Sequence, residues 1–568
     1  MAQTIVIIGA VALGPKAACR FKRLEPDSRV IMLDQSDRIS YGGCGIPFYI
    51  SGDVSDPDQL QTTSFNMLRD KNFFRDAKGI EVLTQTRALE IDRKQKNILI
   101  ERLETGEQTR LDYDRLVIAT GSSPRKLPIE GAGLKGIYSI TGLVEPIRIK
   151  EEISQGRVER AVIIGAGPIG LEMAEALADL WGIETTVVET RDQILPDLIS
   201  PTLAGMARHH LEEKGVVLDL SDEVLRFEGR ERVERVVTRK QTLEADLVIV
   251  SIGVSPNSDL ARRAGLELAP SGAIRVNEFL QTSDPDIYAG GDCVTVPNLV
   301  TGKQGYFPYG SLANRQGRVI GTNLAGGKAV FKGAVGSFIL KLFELSVGGC
   351  GLSLRKAEQE GFEAISAFVV QFDRAHFFPD KDLMYLEIVV EKAGGRVLGV
   401  QGLGNRGDGL FARLSAVAGL LHQKPPVSEI SNLELPYSPP FSAALDILNA
   451  LGNTAENILA GKNRTINPEQ VLELWKEKDP DRFLFLDCRG WGNAEPFVQK
   501  YPEIWKSIPQ DQLQQRLAEV PRDKQLILVC NTGVRSFEAQ VALDQAGLRD
   551  CLNLQGGVAA LKKLGLEF

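Results

Sequence analysis

The run Ala161-Val-Ile-Ile-Gly165-Ala-Gly167-Pro-Ile-Gly170 constrains this chain more than any other stretch. An apolar strand runs into three glycines spaced G-x-G-x-x-G, and Thr186-Val-Val-Glu189 ends a second strand 24 residues after Gly165. Glycines at these places allow a tight turn, a close approach of phosphate to backbone and helix-on-strand packing, with the helix N-terminus facing a pyrophosphate. The stretch therefore reads as a βαβ dinucleotide unit. Glu189 is placed to accept from a ribose 2′-OH and to repel a 2′-phosphate, which favours NADH over NADPH, and Arg191 lies close enough to soften that preference. Glu172, on the following helix, is a further candidate contact to the cofactor.

A second copy of the signal opens the chain. Thr4-Ile-Val-Ile-Ile8 is an apolar run ending at Gly9, a helix is expected from Gly14 to about Leu24, and Val30–Leu33 ends at Asp34. Val11 stands where the second glycine of the turn would be, so by itself this motif fits a non-binding βα turn as readily as a nucleotide site. Two further strand-to-glycine turns follow, Leu116-Val-Ile-Ala-Thr120-Gly121 and Asp286-Ile-Tyr-Ala-Gly-Gly-Asp292.

Between these lies Ser40-Tyr-Gly-Gly-Cys44-Gly, with glycines at 42, 43 and 45 leaving the sulfur's surroundings bare. A planar ring could lie against such a thiol, and a helix starting near Cys44 would stabilise its thiolate. A structural cysteine in a tight turn fits the same residues.

Taken in this order, the motifs resemble the pyridine nucleotide-disulfide oxidoreductase family over about residues 1–450. The resemblance implies FAD on the first unit, with Gly9, Val11, Gly14, Asp34, Ser40, Thr120 and Gly121 as contacts and Asp292 on the ribityl chain. It implies NADH on the second unit at Gly165, Gly167, Gly170, Glu172 and Glu189, with Gly253 in the segment Ile252-Gly-Val-Ser-Pro-Asn257 between the two. No second cysteine stands within four residues of Cys44, as the dithiol members have, so the chain is similar to the single-cysteine branch: coenzyme A-disulfide reductases, NADH oxidases and persulfide reductases. In that branch the segment like Tyr437-Ser-Pro-Pro-Phe-Ser442 brings its tyrosine to the cysteine of the other subunit, which implies a homodimer with a shared site. Two departures matter. Gly43 replaces a common asparagine, which puts coenzyme A recognition in doubt, and His376-Phe-Phe-Pro379 replaces a Tyr-Tyr-Pro, which leaves Tyr437 as the candidate acid. Arg20, Lys22, Arg23 and Lys71 are compatible with a coenzyme A phosphate site and with a solvated basic face.

The last hundred residues form a separate unit. Phe483–Asp487 and Gln525–Val529 read as strands, the second running into Cys530-Asn-Thr-Gly-Val-Arg535-Ser536 and then a helix. Backbone N–H groups and Arg535 around Cys530 would lower its pKa and hold an anionic sulfur group. With Leu486-Asp-Cys-Arg489 before it and Leu554-Gln-Gly-Gly557 after, the unit resembles a single rhodanese domain of the sulfur-handling type.

The fold class expected is thus α/β: two Rossmann-like dinucleotide domains, an α+β dimerisation domain and a C-terminal rhodanese domain. The expected boundaries are 1–150 with 246–325 for FAD, 151–245 for NADH, 326–455 for dimerisation, 456–467 as linker and 468–568 for rhodanese. At 568 residues the length suits three to four domains. A net charge of -8 argues against nucleic acid, and seven scattered cysteines without a C-x-x-C pair suit a reducing compartment. With four histidines no metal centre is expected, and with no signal peptide or long apolar span the reading is cytoplasmic, off the membrane. The function expected is NADH-driven, FAD-dependent reduction of persulfide, polysulfide or coenzyme A (per)disulfide bonds at Cys44, with Cys530 delivering sulfane sulfur. Alternatives are an NADH oxidase or coenzyme A-disulfide reductase with an accessory rhodanese, and a redox-sensing, sulfur-binding flavoprotein.

Overall fold

The computed structural model describes residues 2–566. Two compact units emerge, one holding the chain to Thr190 with Ser221–Ala334, the other Arg191–Leu220 with all that follows Val335.

The first unit contains two parallel sheets built on one plan. In the first, β1 (Thr4–Ile8) lies centrally, flanked by β2 (Arg29–Leu33) and by Arg115–Ile118, with Ile287–Ala289 and Glu81–Leu83 at the edges. Ile5, Val6 and Ile7 are fully buried, as a parallel strand covered on both faces requires. Helix α1 (Leu13–Leu24) buries Leu13, Ala17, Ala18 and Phe21 on one face, and Pro15 falls in its first turn, where its missing N–H costs nothing. In the second sheet β3 (Arg160–Ile164) pairs with β4 (Glu184–Glu189) and with Leu247–Val250, which pairs in turn with Ile137–Tyr138. That last strand lies ahead of the boundary expected at 151. Helix α2 (Pro168–Ala178) follows the turn after β3 and buries Leu171, Met173, Ala174 and Leu177. A long helix, α3 (Gly310–Leu324), lies close along α1, where side chains at Gly317 and Gly321 would meet the carbonyls of Leu13 and Ala17. It thereby belongs to the first unit.

In the second unit an antiparallel sheet runs in the order Phe338–Leu342, Leu345–Gly351, Val397–Gly404, Leu383–Glu391, Ala364–Phe372. Helix α4 (Gly407–Leu421) packs on its central strands and α5 (Ile447–Leu459) on the last two. Asp446 caps α5 and pairs with Arg413 at 2.5 Å, both side chains being buried. Residues 191–220, expected within the NADH domain, cluster with this unit.

A five-stranded parallel sheet completes the chain, in the order Thr465–Ile466, Cys551–Leu554, β6 (Gln525–Val529), β5 (Phe483–Asp487), Trp505–Ser507. One face holds Phe483, Phe485, Phe497 and Trp505, the other Leu484, Leu486, Leu526 and Leu528. At roughly 1.5–3 kcal/mol for each such side chain removed from water, these two faces dominate the domain's stability. The stretch 456–467, expected as a linker, is instead structured: α5 runs to Leu459, Arg464 pairs with Asp544 at 2.6 Å, and Thr465–Ile466 enters the sheet. Its polar residues find partners in the fold that composition alone does not show.

Candidate active site

At both glycine turns the acid ending the second strand reaches back to the turn. Asp34 Oδ2 accepts the Ala10 N–H at 2.8 Å, and Glu189 Oε2 accepts the Ala166 N–H at 2.9 Å. Burial pushes the Asp34 carboxyl above its usual range. A Cβ on Gly14 would lie 2.0 Å from the Gly9 carbonyl oxygen, and one on Gly170 the same distance from that of Gly165, so helix and strand meet there only through glycine. At Gly167 a Cβ would touch no atom of the chain. That position keeps open a space beside the first amides of α2, which no side chain caps. Open space beside uncapped amides is the chemistry a pyrophosphate requires, so the second turn fits a dinucleotide. The first turn shares the uncapped helix start, at Ala12, with Val11 in the place of the open glycine.

Further residues converge on the first sheet. Ser40, in a left-handed conformation, donates its N–H to the Ala10 carbonyl. Thr120 and Asn257 are clamped reciprocally, Thr120 Oγ1 to the Asn257 carbonyl at 2.6 Å and Asn257 Nδ2 to the Thr120 carbonyl at 2.9 Å. Gly121 accepts the Asn257 N–H, Gly253 accepts that of Arg125, and Ser122 donates to Asp292 Oδ2 at 3.1 Å. Burial pushes the Asp292 carboxyl up, the Ser122 hydroxyl opposing. Only the fold shows Asn257 locking Thr120 and Gly121 in place.

Cys44 sits in a single 3₁₀ turn, Gly43–Gly45, ahead of the six-residue helix Ile46–Ser51, and is an exposed residue. A Cβ on Gly310, the first residue of α3, would stand 3.9 Å from Sγ. The expectation that helix starts would stabilise the thiolate is corrected. The atoms packed around the sulfur penalise the charged form, and the carboxylates of Glu172 and then Asp292 push the thiol pKa further up, against one backbone hydrogen bond. A single short turn supplies too little dipole to offset two carboxylates. Glu172 itself is pushed up to about 7, by burial first and by the charge of Glu175 second. It is therefore a carboxyl that exchanges its proton near neutral pH, electrostatically coupled to Cys44.

Cys530 is buried where β6 meets helix α6 (Val534–Gln545). Its Sγ accepts the Gly533 N–H at 3.1 Å and the Ser536 Oγ–H at 3.3 Å. Its carbonyl accepts the Val558 N–H, a close approach possible because Gly557 has φ +58° and no Cβ, which would fall 2.3 Å from that oxygen. Arg535 is half-buried on the same loop and joins no ion pair among the described residues. Beneath the loop Asp487 and Arg489 pair at 2.7 Å, both buried, and Trp505 Nε1 donates to Asp487. In front of it lies a cavity of about 870 Å³, lined by Asn531, Thr532 and Val534 on one side and by Phe368, Val370 and Asn457 on another.

Tyr437 is 51 % exposed on an irregular segment with Phe441, which is 74 % exposed. The four basic residues do not gather at one point. Lys22 and Lys71 line one cleft of about 460 Å³, whereas Arg20 donates to Thr322 Oγ1. Lys22 Nζ is spent on the carbonyls of Pro26 and Ser28. The cavity walls from Phe368 to Phe372 carried no sequence signal, because they come from a segment far from the Cys530 loop in the chain. Among the described residues no helix is long and apolar enough to cross a membrane.

Comparison with known proteins follows this geometry. Residues 3–305 match the model of the pyridine nucleotide-disulphide oxidoreductases, residues 338–447 that of the dimerisation domain of the same proteins, and residues 467–564 that of rhodanese-like domains. A solved NAD-dependent persulfide reductase from A. fulgidus is 38% identical, with a TM-score of 0.92 over 98% of this chain and 99% of its own. A second, the reduced CoADR-RHD of Bacillus anthracis, is 30% identical, with a TM-score of 0.89 over 99% of this chain and 98% of its own. The NAD(P)H sulfur oxidoreductase (CoA-dependent) of Pyrococcus abyssi is 34% identical over 79% of this chain and 97% of its own length. On the family match and these identities, the chain belongs to the pyridine nucleotide-disulphide oxidoreductase family.

Proposed function

We propose that the protein is an NAD(P)H-dependent flavoprotein that reduces persulfide bonds at Cys44, with Cys530 capturing sulfane sulfur from donors. The observation that carries this reading is the second thiol, Cys530, cradled by Gly533 and Ser536 at the edge of a cavity of about 870 Å³ in the same chain as the lone Cys44. Reduction of dioxygen gives such a loop nothing to do. The names of the relatives, persulfide reductase and CoA-dependent sulfur oxidoreductase, support the same substrate class.

In this reading the uncapped start of α2, with Gly165, Gly167 and Gly170, receives the pyrophosphate of NADH, and Glu189 takes the ribose. The first turn, Asp34, Ser40, Thr120, Gly121 and Asp292 hold FAD. FAD supplies the relay that turns hydride oxidation into two-electron reduction of sulfur. Cys44 attacks the outer sulfur of a carrier persulfide, expelling the carrier thiolate and becoming Cys44–S–SH. Two electrons and one proton then restore the Cys44 thiolate and release hydrogen sulfide. Glu172, whose carboxyl is pushed up to about 7 and whose charge is felt at Cys44, is the candidate to hold the proton for the departing sulfur. Tyr437 and Phe441, aromatic and exposed, offer the surface on which a homodimer would form, with the partner subunit's Tyr437 completing the site. Coenzyme A as carrier would set its phosphates against Lys71, which joins no ion pair among the described residues.

Anaerobic NADH oxidation across coenzyme A persulfide, glutathione persulfide, polysulfide and elemental sulfur, with dioxygen as a separate trial, tests the proposal. Cys44→Ser should abolish sulfide release from every donor. Cys530→Ser should slow bulky or poorly soluble donors while a small persulfide still turns over. Sulfide release surviving in Cys44→Ser would overturn the assignment.

A further inference from the structure

Strands β5 and β6 run parallel, with Asp487 opposite Val529 at the end of the two strands, and the Cys488 N–H continues the ladder to the Val529 carbonyl at 2.8 Å. One step further sets Cys488 opposite Cys530. Opposed residues on neighbouring strands stand about 4.8 Å apart. That lies inside the span of roughly 4.4–6.8 Å between Cα atoms that a disulfide bridges. The two side chains also share a face. Leu484, Leu486 and Cys488 lie with Leu526 and Leu528 in one apolar cluster, to which Ala539 and Leu543 of α6 belong. Cys530 continues the alternation of Leu526 and Leu528, and its sulfur meets Ser536 on that helix. Both thiols are buried, and among the described residues Cys488 Sγ has only the Leu486 carbonyl, at 3.6 Å, as a hydrogen-bond partner. Burial first, and Cys530 second, push the Cys488 thiol above its ordinary range, which keeps it protonated while the loop is bare.

We propose that Cys488 is a resolving thiol for sulfur carried on Cys530. This rests on Cys530 being a sulfur carrier. Cys488 Sγ attacks the inner sulfur of Cys530–S–SH. A Cys488–Cys530 disulfide forms, the bond to the outer sulfur breaks, and that sulfur leaves with the Cys488 proton as hydrogen sulfide. The persulfide bond is reduced, the two thiols are oxidised, and no outside electrons enter. Two equivalents of a low-molecular-weight thiol return both cysteines to thiols as its own disulfide forms. The domain thus has a sulfide-releasing activity independent of NADH, and a disulfide state that refuses further sulfur until thiol is supplied.

The test uses the full chain carrying Cys44→Ser, reduced, freed of thiol, and given thiosulfate without NADH. Sulfite release reports loading of Cys530, and sulfide release reports resolution. The expected result is one sulfite and one sulfide per chain, a mass lower by two hydrogens, and peptides of Cys488 and Cys530 joined under non-reducing digestion. Adding Cys488→Ser or Cys488→Ala should leave sulfite release in place, abolish sulfide, and raise the mass by one sulfur. A Cys44→Ser chain that keeps a stable persulfide and releases no sulfide overturns the inference and leaves the carrier role of Cys530 standing. Absence of both sulfite and a sulfur-loaded mass, with thiosulfate and with inorganic polysulfide, overturns the carrier role and the inference together.

Discussion

Replacing Glu387 with glutamine should stabilise this protein above neutral pH and leave it unchanged in acid. Glu387 lies on the strand Leu383–Glu391, opposite Phe368 on one side and Gln401 on the other, and only 5 % of it is exposed. Its Oε2 and the Oε1 of Gln401 are both buried without a hydrogen-bond partner. Two facing acceptors are satisfied together if the carboxyl keeps its proton and donates across the ladder. Burial first, and the charge of Glu469 second, push its pKa from 4.5 up to about 7, the hydroxyls of Ser200 and Ser366 opposing. Because the folded chain binds this proton more tightly than the unfolded chain, the contribution to stability is complete below about pH 4.5 and is lost as pH rises through about 7. Over that interval, at about 1.4 kcal/mol per unit, the loss amounts to about 3 kcal/mol. Glutamine copies the neutral acid and has no such loss. Urea unfolding followed by fluorescence suits the measurement, since Trp475, Trp491 and Trp505 lie in the same unit as Glu387. The variant should match the parent near pH 4.5 and exceed it by up to about 3 kcal/mol near pH 8.5. A variant no more stable than its parent near pH 8.5 would mean that the buried carboxylate is ionised and well paired, and the argument would fail.

Three further outcomes follow from the site. Glu189→Ala removes a charge-assisted acceptor worth roughly 1.5–3 kcal/mol, so kcat/KM for NADH should fall roughly tenfold to hundredfold and the gap to NADPH should narrow; an unchanged ratio would remove Glu189 from ribose recognition. Glu172→Gln takes away the first of the two carboxylates that, after burial, raise the Cys44 thiol, so the pH profile of iodoacetamide alkylation at Cys44 should move to lower pH; an unmoved profile would place Glu172 too far to matter. Gly557→Ala puts a Cβ 2.3 Å from the Cys530 carbonyl at a φ that L residues rarely adopt, so sulfur loading of Cys530 should be lost while NADH-driven reduction of small persulfides persists, and normal loading would contradict the loop geometry.

Much of this molecule is local chemistry and was therefore legible in one dimension. The apolar runs Phe483–Leu486 and Leu526–Val529 locate their strands, each extended by one polar residue at an end, because a strand covered on both faces is built mainly of apolar side chains. The glycines at 9, 14, 165 and 170 announce their turns because a Cβ at any of them would strike a neighbouring carbonyl. Cys44 and Cys530 could be singled out as candidates from the small residues and loop length around them. What the sequence left open depends on segments distant in the chain. The Cys44 thiol is pushed up by burial first and then by Glu172 and Asp292, which lie 128 and 248 residues further along, and a local reading of the helix start contains none of these. The linker expected at 456–467 became structure because Arg464 meets Asp544 and Thr465–Ile466 meets Cys551–Leu554. Cys488 looked like one letter of a motif until the sheet register set it opposite Cys530. Sequence by itself determined which groups could carry the chemistry, since that is a matter of side-chain type and immediate neighbours. Tertiary structure alone decided their protonation and their pairing, because electrostatic and hydrogen-bond energies depend on distance through space and not along the chain.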